Sequence, residues 1–76
     1  MPYYEFLIRD ATDADLGALE AETGLRYTPL DRAARLDGEL VDRAALHGAI
    51  TRVLDLGVDL VGVQRLPAAP PRVAAP

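Results

Sequence analysis

The chain of 76 residues contains no cysteine, lysine, asparagine, serine or tryptophan. Without cysteine there is no disulfide and no thiolate metal site, and nothing fixes the redox compartment. A single histidine leaves a structural zinc site without its ligand set, so no metal and no cofactor is expected. Twelve acidic residues face eight arginines, for a formal charge of −4. That balance argues against nucleic acid and anionic membrane as partners, since both demand a net basic surface. No apolar run approaches a membrane span, and no basic-then-apolar leader opens the chain. A cytoplasmic protein is expected. The wealth of alanine, leucine and arginine reads as the coding bias of a GC-rich bacterial genome.

Such a length makes one domain, and a marginal one. A chain this short buries only about 60% of the surface its unfolded form exposes. With disulfides and thiolate metals excluded, oligomerisation is the remaining source of extra stability.

Val41 to Leu66 is the most legible stretch. Asp42 suits an N-cap, because its carboxylate can accept from the free N–H groups of a first turn. Leu46, Ala49, Ile50, Val53 and Leu54 recur at helical steps and share one face, with Asp42, Arg43, His47, Arg52 and Asp55 largely on the other. Gly57 fits the left-handed position that closes a helix. The β-branched run Val58 to Leu66 then changes the period to that of a strand.

The first half is expected to supply strands for that helix to cover. Tyr3 to Arg9 alternates so that Tyr4, Phe6 and Ile8 face a core, while Tyr3, Glu5, Leu7 and Arg9 face away. Thr12 caps a short helix whose Asp13 and Asp15 suit its positive end, and Gly24 stops it. Gly17 inside that helix costs up to about 1 kcal/mol relative to alanine. Leu25 to Leu30 reads as a second strand, at an edge because Pro29 cannot donate to a ladder. Asp31-Arg32 forms a turn into a third strand, Ala34 to Val41, where Gly38 signals a bulge or a close backbone approach. Residues 67–76, with four prolines, read as a flexible tail holding one P-x-x-P step. The single domain is therefore expected to span 1–66.

Strand, helix, strand, strand, helix, strand is the βαββαβ order. It predicts an α+β fold, the ferredoxin-like split βαβ plait: a four-stranded antiparallel sheet with two helices on one face. The open face would carry Tyr3 and Leu7. If Val61 and Val63 point to the core, Leu60, Gly62, Gln64 and Leu66 join them there. A partly apolar face on a marginal domain is best explained by pairing, so a homodimer is expected, with Tyr3, Leu7, Leu60, Gln64 and Leu66 at its interface.

The box from Asp42 to Gly57 resembles a stretch in small proteins of high-GC bacteria. It shares their A-A-L-H-G core, here Ala44 to Gly48, and their closing D-L-G, here Asp55 to Gly57. The resemblance implies the strand-helix-hairpin-helix-strand topology. It implies no established activity and transfers no catalytic residue.

Two residues could carry chemistry. His47 is the only histidine, and no cysteine or second histidine completes a constellation around it. Gly48 beside it suggests close packing. Pro2 would become an amino-terminal secondary amine if Met1 were removed. In its first strand and following helix the chain looks like the small tautomerases of the 4-oxalocrotonate type, which use such an amine as general base. Arg9, Arg26 and Arg35 could then hold a carboxylate, but the first helix is short for that family. Other plait activities fall by absence: no asparagine for an acylphosphatase site, no C-x-x-C for a metal chaperone, no aromatic–basic strands for RNA recognition. The loop Asp10 to Thr12 lacks the glycine and asparagine common in ACT-type ligand sensors. The arginines are spread along the chain, and those near the hairpin are interrupted by Asp31 and Asp37, as on a salt-bridged solvated face. The expected role is a small non-enzymatic binding or regulatory accessory protein, with a protein partner. The alternative is a small-molecule enzyme or ligand sensor with its site at the dimer interface.

Overall fold

The computed structural model describes residues 1–67; the rest of the proline-rich segment lies outside the described residues. The elements are β1 (Tyr3–Arg9), α1 (Asp13–Thr23), β2 (Arg26–Leu30), β3 (Ala33–Glu39), α2 (Arg43–Asp55) and β4 (Asp59–Leu66). The strands form one antiparallel sheet in the order β2-β3-β1-β4. The fold is α+β.

Local chemistry sets the boundaries. The Thr12 hydroxyl accepts from the Asp15 N–H at 3.1 Å, and the Asp15 carboxylate accepts from the Thr12 N–H at 3.2 Å. This reciprocal box satisfies two donors that a helix start leaves free. Gly24 closes α1 with φ 75°, and its N–H donates to the Glu20 carbonyl. Asp42 caps α2 by accepting from the Ala45 N–H at 2.8 Å. Gly57 also takes φ 75°, letting the chain leave α2 directly for β4. At the β2–β3 turn it is Arg32 that adopts the left-handed conformation, at φ 59°.

The core lies on the helix-bearing face. Phe6 and Ile8 of β1 stand beside Leu36 and Ala34 of β3, and Leu19, Ala49 and Val53 come down on them from the helices. Leu25, Leu40 and Val58 seal the ends. Gly38 is the expected close approach: a β-carbon there would lie 2.9 Å from Leu25 Cδ2. At Gly48 a β-carbon would meet nothing within 4 Å, which corrects the packing role expected for it. The residue lies on the exposed side of α2.

β4 departs from simple alternation. Its pairing with β1 shifts between Leu7 and Ile8: Gly62 faces Leu7, Leu60 faces Ile8, and Val61 has no partner. The bulge places both Leu60 and Val63 on the helix-bearing side, opposite Ile8 and Phe6. Leu60, expected on the open face, instead packs against the core.

Candidate functional site

Among the described residues, the face of the sheet away from the core carries no helix. Its residues are Tyr3, Glu5, Leu7 and Arg9 of β1, Arg35 and Asp37 of β3, and Gly62, Gln64 and Leu66 of β4. Polar contacts tie most of these together. Arg9 donates to Asp59 at 2.8 Å, Gln64 donates to Glu5 at 3.0 Å, and Arg35 lies 3.9 Å from Glu5 and 3.7 Å from Asp37. The Tyr3 hydroxyl donates to the Asp37 carboxylate, and both residues are buried. Tyr3 thus lies on the expected face but is buried there against Asp37, and it offers a partner little surface. Gln64 is exposed, Leu66 is half-buried and Leu7 is exposed. Leu7, Glu5, Gly62 and Gln64 line a shallow depression of about 290 Å³.

On the other side of the sheet, a larger cleft of about 490 Å³ opens between α2 and β4. Tyr4, Leu46 and Ile50 supply its apolar wall, and Arg43, His47 and Arg65 its polar groups. Arg43 and His47 are four residues apart on α2 and so adjacent on one face. Arg65 joins them because it pairs with Tyr4, next to the terminal Tyr3–Leu66 pair of the β1–β4 ladder. The sequence placed Arg43 and His47 on the outer side of the helix and Tyr4 in the core. In fact the stripe of α2 is narrow: Ala49 and Val53 are buried, Leu46 and Ile50 only half so, and Arg43 and His47 border the stripe beside β4. The i, i+4 spacing of Arg43 and His47 was the available signal. Arg65 could not be read without the register.

Pro2 is not among the residues lining the clefts at either face, and its carbonyl accepts from the Leu40 N–H at 3.1 Å. The structure therefore does not bring Pro2 and His47 into one cleft. A third hollow, between the helices, is lined by Thr23, Leu40 and Ala45 and bordered by Glu22 and Arg52, which lie 4.0 Å apart. Among the described residues, no three His, Asp or Glu side chains gather as a metal site requires. No helix there is long and apolar enough to cross a membrane.

Residues 3–64 match the family described as a domain of unknown function, DUF8691, and the chain belongs to that family. No curated protein and no solved structure matches it.

Proposed function

We propose that this member of the DUF8691 family is a ferredoxin-like plait serving as a small non-enzymatic binding or regulatory accessory protein, and that it works as a homodimer paired through its helix-free sheet face. The strand order supports the plait: from the opposite edge it reads β4-β1-β3-β2, antiparallel throughout, with a helix in each crossover. The observation that carries the pairing is the juxtaposition of Leu7 and Gly62. Leu7 stands out of the middle of the face, and its partner across the ladder has no side chain. In a two-fold pair, the Leu7 of each copy could enter the notch left at Gly62 of the other. The Arg9–Asp59 and Glu5–Gln64 contacts would then form a polar rim around an apolar centre.

Leu7→Glu tests this without touching the core. The wild-type chain is expected to sediment as a dimer at micromolar concentration, and the variant as a folded monomer with unchanged circular dichroism. A wild-type monomer, or a Leu7→Glu dimer, would sink the pairing.

A further inference from the structure

We infer that the cleft between α2 and β4 binds an amphiphilic organic anion, a carboxylate carried on a linear apolar body. The inference goes beyond the proposed pairing and does not rest on it, because the cleft lies on the helix-bearing side of the sheet.

Charge is the first argument. The chain is acidic overall, yet this cleft is lined by two arginines and the only histidine, and by no carboxylate. Arg9, Arg35 and Arg52 each have a carboxylate within 4.0 Å, whereas Arg43 and Arg65, like Arg26 and Arg32 at the hairpin, have none among the described residues. Arg43 also occupies the first residue of α2, and no acidic residue sits in that first turn. A cation at that end opposes the helix dipole, so it weakens the helix slightly. An anion held between Arg43 and Arg65 would reverse that effect. The helix end itself is already capped by Asp42; the site is made by the side chains around it.

The apolar part follows from the run of the two elements. Arg43 begins α2 and Arg65 nearly ends β4, so helix and strand run in opposite directions past the cleft. Moving away from the cations, the helix stripe continues from Leu46 and Ile50 to Leu54, which is 57% exposed. Along β4 the helix-side position before Arg65 is Val63, 37% exposed, followed by the bulged Val61 at 48%. The distance from Arg43 to Leu54 is about 16 Å along the helix axis, and the strand from Arg65 to Leu60 covers a similar length. Cations at one end and uncovered aliphatic side chains at the other match a headgroup and a tail. The volume lies within the range of small-molecule sites.

The probe is decanoate below its micellar concentration, titrated into the full chain by calorimetry and by two-dimensional NMR. Acetate tests the head alone, and decyltrimethylammonium tests the same tail with the opposite charge. Decanoate is expected to bind saturably, to shift the resonances of His47, Arg65 and Leu54, and to weaken as salt is raised. The double variant Arg43→Gln/Arg65→Gln should lose about tenfold in affinity while keeping the wild-type circular dichroism, since both residues are exposed. Equal binding of the cationic amphiphile, unchanged affinity in the double variant, or shifts confined to Leu7 and Gln64 would each overturn the assignment. So would the absence of saturable binding.

Discussion

Strands β3 and β4 flank β1 on its two sides, yet the two sides are packed to different standards. Toward β3 the register is unbroken from Tyr3–Glu39 to Arg9–Ala33, and Ala34, Leu36 and Asp37 are buried. Toward β4 the register slips at Leu7/Ile8, and every residue from Val61 to Arg65 is exposed. Both neighbours place aliphatic side chains opposite Phe6: Leu36 on one side, Val63 on the other. Only Leu36 is covered. One side of the molecule thus holds the fold together, and the other keeps apolar and cationic surface uncovered. A marginal domain can leave that surface open only if its stability is concentrated elsewhere.

The largest expected effect breaks the comparison at its centre. Phe6→Ala should cost about 3–5 kcal/mol, comparable with the whole net stability of a small domain, so the variant is expected to be largely unfolded at 25 °C. Its neighbour across the β4 ladder, Val63→Ala, should cost less than about 1 kcal/mol. Urea unfolding followed by circular dichroism measures both. A Val63→Ala cost as large as a core truncation would mean that the β4 side is covered in solution.

Glycines sharpen the same contrast at smaller scale. At Gly38 in β3, an alanine β-carbon would sit 2.9 Å from Cδ2 of the fully buried Leu25, so that side chain would have to shift within the core. Gly38→Ala should therefore destabilise by about 1–3 kcal/mol. At Gly62 in β4 the added methyl meets nothing within 4 Å. Gly62→Ala is expected within about 0.5 kcal/mol of wild type, measured at low protein concentration so that association does not enter.

How legible each side was follows from the same difference. β1, both caps, both stop glycines and the core residues Phe6, Ile8 and Val53 could be read from periodicity and capping chemistry, because buried positions obey strict steps of two or near four. β4 could not. Simple alternation puts Leu60 and Val63 on opposite faces, and only the unpaired Val61 brings them to the same one. Gly62 inside the strand was the one hint of a bulge. The cleft was hidden for a related reason. Its residues come from β1, α2 and β4, and a half-buried stripe such as Leu46, Ile50 and Leu54 looks the same in sequence whether or not a strand covers it. Tyr3 shows the reverse: alternation gave its face correctly, but a phenol reaching diagonally to Asp37 buried it there.

The smallest effects distinguish the two helices, one packed beside β2 and the other beside the open strand. α1 starts on a reciprocal Thr12–Asp15 box, and α2 on the single Asp42 carboxylate. Thr12→Ala and Asp42→Ala should each cost about 1 kcal/mol, so stability alone does not separate them. Asp42→Asn does, because asparagine caps a helix as well as aspartate but removes a negative charge from the residue that precedes Arg43, one of the cleft-lining cations. It should leave the unfolding midpoint near that of wild type while tightening decanoate binding. Thr12→Ala, at the start of the other helix, should lower the midpoint and leave decanoate affinity unchanged. If both variants moved the affinity alike, the cleft would be answering to overall stability and not to the charge beside Arg43.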